Sequence, residues 1–350
     1  MSVSGQFSQL LLNEINSDQI DLESLKKLVC DKGVPGEESA IRLALWSLLL
    51  KIVPKDRFEW GTYTSERHQE YSKFCQDFII NPESIDSNAA ADHPLSTQSD
   101  SQWKMYFEDK EMQEQIDRDV ERTHPDLNFF SGEYNGVPHR IKMSRALFIF
   151  YKLNPGIRYV QGMNEIYAVL YYVLGSARGR SSVDDGLLQV MQKDPEVSAF
   201  FGFVNLMSEF RDNFCLQLDK SHMGIGGVLG KISHLVKSFD PILSKHLEVT
   251  LQISPHLYAF RWVTTLFTQE FDLPDVISIW DRMISDQASR SGFVIQFCAS
   301  MVLLQREVLL QSDFAHAVKL LQHYPDADVA TIIRYTEKLQ SYKTIIILDE

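Results

Sequence analysis

At 350 residues and 44% apolar, with 21 Phe, 13 Tyr and 5 Trp, the chain has the material for a large core spread over more than one lobe. A net charge of −13 excludes the basic footprint that nucleic-acid binding requires and works against general attraction to anionic lipid. Soluble recognition of another protein fits this balance best.

The start, Met1-Ser2-Val3-Ser4-Gly5-Gln6, lacks a charged segment followed by an apolar run, and Ser2 excludes N-myristoylation. The end, Ile347-Leu348-Asp349-Glu350, is not a prenylation box. No apolar run approaches the roughly 18 residues of a membrane-spanning helix. Cys30, Cys75, Cys215 and Cys298 are scattered without a CxxC pair or zinc spacing, as expected of inert thiols in a reducing compartment. A cytoplasmic protein is expected, peripheral on endomembranes when it meets a membrane.

Periodicity is helical almost throughout. Residues 1–30 form a helical lead-in, and Ile41, Leu45, Leu48 and Leu49 then share one helical stripe. Residues 81–102, rich in Asn, Ser, Asp, Ala and Pro, are predicted to be a solvated connector. Ile116–Arg122 fits a short helix. Ser144, Leu147, Phe150 and Tyr151 stripe another, which begins near 141 and stops at Asn154-Pro155-Gly156 because proline disfavours helical geometry in the residue before it. Residues 175–186 are predicted to be a flexible loop. Ser254-Pro255 and Asp272-Leu273-Pro274 each place a cap residue and an early proline before an apolar run. The β-branched run Thr344–Ile347 is strand-like and is assigned to a tail over 343–350. The expectation is an all-α fold of about 14–16 helices with essentially no sheet and no solenoid repeat.

Gly224-Ile225-Gly226-Gly227-Val228-Leu229-Gly230-Lys231-Ile232-Ser233 resembles both nucleotide-binding loops and satisfies neither. A dinucleotide fingerprint needs glycine at Leu229; a P-loop needs glycine at Ile225 and Ser or Thr at Ile232. A flexible helix–helix connection is expected there. No GxSxG elbow or HExxH pair occurs, and the ten histidines are dispersed, so no self-contained catalytic activity is expected.

Asp119 and Arg122 form an i, i+3 pair that, alone, is a minor helix contact. Gln161 before Gly162, alone, is a polar turn. Together they offer the two groups that an incomplete GTP-hydrolysing site lacks. Phosphoryl transfer to water spreads negative charge over the γ-phosphoryl and leaving oxygens, and the attacking water must be aligned. A guanidinium supplies fixed positive charge, and a carboxamide holds water with both a donor and an acceptor.

The chain resembles the TBC (Tre-2/Bub2/Cdc16) domain family, GTPase-activating proteins of Rab GTPases, through several motifs in order. Lys32-Gly33-Val34-Pro35 with Arg42 and Trp46 is similar to its entry motif. Ile116, Asp119 and Arg122 match its Ile-x-x-Asp-x-x-Arg motif, and Tyr159, Gln161, Gly162 and Met163 its Tyr-x-Gln-Gly-Met motif. Tyr258, Arg261, Trp262, Glu270, Phe271, Trp280 and Asp281 resemble its late aromatic block; Gln269 stands where many relatives have arginine, which touches partner contacts more than chemistry.

The resemblance implies a single TBC domain over 31–342, made of two fused helical subdomains of about 31–195 and 196–342, with both fingers in the first. Arg122 would be the arginine finger and Gln161 the glutamine finger, supplied in trans to a GTP-bound Rab-family GTPase in vesicle trafficking. Asp119, Tyr159, Gly162, Arg42 and Trp46 would support them, with Trp46, Trp262, Trp280 and Tyr258 in the core. GTP and Mg belong to the partner, so no cofactor or metal of the chain's own is expected. A monomer is expected, recruited transiently to membranes. A non-catalytic adaptor holding a Rab in the same groove is the alternative.

Overall fold

The computed structural model describes residues 3–34, 39–79, 102–176, 194–214 and 224–348. Among the described residues there are sixteen α-helices and one two-stranded hairpin, so the fold is all-α as expected. Helices α1 (Val3–Ile15) and α2 (Leu22–Lys32) open the chain. Asp21 caps α2, its carboxylate accepting from the Glu23 and Ser24 N–H groups, while Phe7, Leu11, Ile15, Leu25 and Val29 face the interior. In α3 (Ser39–Leu49) every residue from Ala40 onward is buried, the signature of a helix enclosed on all sides.

The first half continues with α4 (Trp60–Phe78), α5 (Gln102–Arg122), α6 (His139–Leu153), α7 (Met163–Ser176) and α8 (Pro195–Phe210). Helix α5 packs on α6, α7 on α8, and α3 on α7. The second half comprises α9 (Ile225–Phe239), α10 (Pro241–Lys245), α11 (Ala259–Thr264), α12 (Leu273–Ile284), α13 (Arg290–Leu304), α14 (Arg306–Gln311), α15 (Phe314–Gln322) and α16 (Val329–Leu348). Here α13 is the hub for α9 and α16, and α12 leans back on α2, α3 and α7. One apolar cluster runs from Phe7 to Leu339, across the expected boundary near 195.

Two buried carboxylates sew the helices together. Glu196 on α8 accepts from the Tyr71 hydroxyl of α4 (2.7 Å) and from Lys142 (3.1 Å) and Arg145 (2.5 and 2.6 Å) of α6. Asp281 on α12 accepts from Arg42 Nε (2.9 and 3.1 Å) and from the Trp46 indole (2.8 Å), both on α3. Trp46 also stacks on Trp280, with ring centroids 5.8 Å apart. Charges this deeply buried are tolerated because each is paired and hydrogen-bonded.

The helix stop at Asn154-Pro155 falls where expected, and Trp46, Trp262, Trp280 and Tyr258 are all buried. Ser254-Pro255 opens only a single 3-10 turn, Pro255–Leu257, before α11. Other expectations need correction. Gly224 through Ser233 is not a flexible connection: Gly224 is the N-cap of α9, whose Ile225, Val228, Leu229, Ile232, Leu235 and Val236 form a buried stripe. Burial of that stripe overrides the low helix propensity of three glycines. Thr344–Ile347 continues the backbone of α16 rather than forming a strand, propensity again yielding to a helix already anchored by Ile332, Thr336 and Leu339.

Gly175 and Ser176 close α7 instead of opening a loop; a side chain at Gly175 would meet the Phe129 ring at 3.1 Å. The remainder of the predicted 175–186 loop, residues 81–101 of the predicted connector, Pro35 and Cys215 lie outside the described residues. The hairpin pairs Glu133–Tyr134 with Val137–Pro138. Asn135 (φ 55°) and Gly136 (φ 76°) form its turn, in the left-handed geometry that two-residue hairpin loops favour.

Candidate functional site

The Ile116, Asp119, Arg122 series runs along α5 at steps of three residues. Each step advances about 300°, so successive positions rotate about 60° away from the core. Ile116 is fully buried, Asp119 is 6% exposed, and the Arg122 side chain, at the helix end, is 70% exposed. Asp119 Oδ1 accepts from Arg122 NH2 at 2.8 Å, while Arg122 Nε donates to the Arg118 carbonyl at 3.1 Å. One edge of the guanidinium is therefore held and the rest faces solvent. The C-terminal end of the helix, with its unpaired carbonyls, favours a cation there. Arg140 donates to the Val120 carbonyl, and His124 follows at φ 41°, closing the helix.

Forty residues later the chain emerges from α6 through Arg158 (φ 62°) and runs extended. Tyr159 points into the core, Val160 is half-buried and Gln161 is exposed. A turn closed by the Met163 N–H on the Val160 carbonyl (3.1 Å) then starts α7. Gly162 occupies its third position with φ 104°, a conformation that suits glycine. Among the described residues the Gln161 carboxamide has no hydrogen-bond partner, so both its donor and acceptor are presented outward.

The two segments share one buried polar network. The Tyr159 hydroxyl donates to Asp119 Oδ2 at 2.9 Å, with Asn164 Oδ1 a longer second acceptor at 3.2 Å. Asn164 Oδ1 also accepts from the Gly162 N–H at 3.0 Å, and its Nδ2 donates to Thr123 Oγ1 at 2.8 Å. Burial, reinforced by the Asp119 carboxylate, pushes the Tyr159 phenol far above its ordinary range and keeps it a proton donor. Glu165, next in α7, has its carboxyl raised to about 7 by burial and lies 3.8 Å from His124, whose own pKa is lowered by burial and by Arg140.

Behind the Gly162 turn stands Thr265: a Cβ on Gly162 would lie 3.2 Å from its Cγ2. Thr265 leads into two buried non-glycine residues in left-handed geometry, Leu266 (φ 49°) and Phe267 (φ 71°). Each costs on the order of 1–3 kcal/mol and persists only where its surroundings determine it. The Trp280 indole donating to the Leu266 carbonyl (2.9 Å) and the Phe267 N–H donating to the Trp262 carbonyl (3.1 Å) provide that constraint. In the same block Arg261 forks onto Glu270 at 2.6 and 2.9 Å.

The structure thus brings Arg122, Asp119, Tyr159 and the Gln161–Gly162 turn into one network. It places Arg42 and Trp46 apart from that network, in the buried group with Asp281 and Trp280. Asn164, Thr123, Glu165 and His124 belong to the same region, although the motif reading assigns them no role. Their signal was proximity: each lies within four residues of Arg122 or Gln161 in the chain. A cleft of about 540 Å³ walled by Phe78, Tyr106, Ile141 and Phe148 contains neither Arg122 nor Gln161.

Comparison with known proteins bears on the family and the fold. The family model of the Rab-GTPase-TBC domain matches residues 39–310. The chain is 33% identical to human TBC1 domain family member 13, over 94% of this chain and 96% of that protein. It is 28% identical to human TBC1 domain family member 5 over 84% of this chain, but only 40% of that longer protein. In fold it is similar to the crystal structure of the Ypt/Rab-GAP domain of Gyp1p, with a TM-score of 0.77 and 20% identity, covering 99% of this chain and all of that one. None of its described helices is long and apolar enough to cross a membrane. The chain belongs to the Rab-GTPase-TBC domain family.

Proposed function

We propose that this chain accelerates GTP hydrolysis on a Rab-family GTPase by inserting Arg122 and Gln161 into the partner's nucleotide site. Arg122 neutralises charge developing on the transferred phosphoryl, and Gln161 aligns the attacking water. The observation that carries this is the pairing of two exposed functional groups on one buried scaffold: an outward guanidinium held by Asp119, and an outward carboxamide on the Gly162 turn. Such preorganisation is what electrostatic stabilisation of a transition state requires. GTP and Mg²⁺ come with the partner. The setting is vesicle traffic, with the chain acting from the cytoplasm on GTPases at membrane surfaces.

The test is GTP hydrolysis by a panel of Rab proteins with and without the chain. An arginine finger supplied in trans is worth roughly 10³–10⁵ in rate, so Arg122→Ala removes nearly all stimulation. Gln161→Ala costs on the order of 10²-fold or more, the scale of losing one preorganised transition-state contact. Tight binding of GTP-loaded Rab proteins with no acceleration anywhere in the panel identifies an adaptor instead.

A further inference from the structure

Asn164 touches neither finger side chain, yet it lies between their supports. It is the second residue of α7 and only 4% exposed. One end of its carboxamide, Oδ1, accepts from the Gly162 N–H at 3.0 Å, which belongs to the peptide bond following Gln161. The other end, Nδ2, donates to Thr123 Oγ1 at 2.8 Å and, more weakly, to the Asp119 carbonyl at 3.4 Å. Thr123 adjoins Arg122 in the chain, is fully buried, and donates its own hydroxyl proton to the Asp119 carbonyl at 2.9 Å.

The orientation of the amide is forced. A backbone N–H only donates, so the atom facing Gly162 must be the oxygen, and the nitrogen must then face Thr123. With its proton committed to the Asp119 carbonyl, the Thr123 hydroxyl is free to accept. Every polar atom in the chain Gly162, Asn164, Thr123, Asp119 therefore has a consistent direction.

We infer that Asn164 is the positioning residue that sets the distance between the two fingers, its single rigid carboxamide tying the Gln161–Gly162 peptide to the end of the helix that carries Arg122. The inference rests on the finger assignment proposed above. Asparagine suits the task because one short planar group offers an acceptor and a donor at fixed separation. Aspartate has the same shape, but it loses the donor and adds a second carboxylate beside Asp119. Serine cannot reach both partners. Both fingers must meet one phosphoryl group and its water together, and a misplacement of about 1 Å costs on the order of 10²-fold.

Single-turnover hydrolysis on a responsive Rab protein, with the full chain, tests this through Asn164→Asp, Thr123→Val, Arg122→Ala and Gln161→Ala. Asn164→Asp is expected to lower kcat by roughly 10²-fold while KM stays within about threefold. Affinity for the Rab loaded with a non-hydrolysable GTP analogue stays near wild type, whereas affinity for the GDP–aluminium fluoride form falls by a comparable ~10²-fold. In the Gln161→Ala background the added loss from Asn164→Asp shrinks below about threefold, because residues acting as a unit are not additive.

A merely structural Asn164 gives the same fold-loss in both backgrounds and weakens both nucleotide forms equally, and that pattern overturns the inference. If Asn164→Asp does not fold, Thr123→Val cuts the same tie from the α5 end. Wild-type kcat in Thr123→Val overturns the inference by itself, and loss of kcat with KM held supports it. Full stimulation by Arg122→Ala and Gln161→Ala sinks the finger assignment. Loss in those two with full activity in Asn164→Asp sinks only the tie.

Discussion

Tyr159 donates its hydroxyl proton to Asp119, the carboxylate that holds Arg122, so a residue of the glutamine-bearing segment braces the arginine-bearing helix at 2.9 Å. Tyr159→Phe leaves the aromatic packing and deprives Asp119 Oδ2 of its donor. A hydrogen bond to a charged buried group is worth about 1.5–3 kcal/mol, so the variant is expected to melt at lower temperature by a corresponding amount. Stimulated hydrolysis falls by roughly tenfold, well short of the loss in Arg122→Ala, since Oδ1 still holds the guanidinium. Thermal unfolding and hydrolysis measured on the same preparation check both figures.

Arg42 and Asp281 form a buried pair across 239 positions of sequence, with Trp46 as a third member. Burial raises the Asp281 carboxyl to about 6 in spite of Arg42, and removing Arg42 drives it higher. Arg42→Ala is expected to cost about 3–5 kcal/mol, the usual consequence of stranding one partner of a buried pair. Asp281→Ala falls in the same range. The double variant costs less than their sum by about 1–3 kcal/mol, which denaturant unfolding of the four-member cycle measures.

How much of this was visible in the sequence depends on how local each cause is. The burial of Trp46, Trp262 and Trp280 and the stop at Asn154-Pro155 were legible, because apolar periodicity and proline sterics act within a few residues. The Asn135-Gly136 turn carried a legible hairpin signal that the dominant helical pattern obscured. The pairing of Arg42 with Asp281 was not legible, since nothing in either neighbourhood specifies a partner more than two hundred residues away. Helix α9 was misjudged because three glycines weigh heavily in local propensity and the core that outweighs them is tertiary. Motif order singles out Arg122 and Gln161, whereas the place of Asn164, in the same six-residue stretch, depends on a contact with Thr123, 41 positions away.

Gly162 is constrained twice, by φ 104° and by Thr265 Cγ2 at 3.2 Å from the Cβ an alanine would add. Gly162→Ala is expected to cost about 1–3 kcal/mol in stability, the price of a left-handed alanine plus the steric contact. It also shifts the Gln161 peptide, reducing stimulated hydrolysis by at least about tenfold. Thr265→Ser removes the offending methyl, so Gly162→Ala/Thr265→Ser should regain part of the lost stability, with the conformational share remaining. Melting temperatures of the two variants separate the contributions, and no recovery in the double variant means the steric share is absent.

Glu165 gives the region a pH dependence whose sign follows from its environment. Burial raises its carboxyl from the ordinary 4.5 to about 7, and the nearby Asp119 charge acts in the same direction. The folded state therefore holds this proton more tightly than the unfolded chain. Its contribution to stability is fully present below the ordinary glutamate value and is lost as pH rises through about 7. That displacement corresponds to roughly 3 kcal/mol. His124 works in the opposite sense: its pKa is lowered, so its contribution is present above the ordinary histidine value and is lost as pH falls. Glu165→Gln keeps an acceptor for Asn164 Nδ2, 3.3 Å from Oε1, and removes the titration. The variant should be more stable than wild type above about pH 7, with the difference closing towards about pH 5. Unfolding free energies of the two proteins across that range check it: a constant difference means that Glu165 does not titrate in the window.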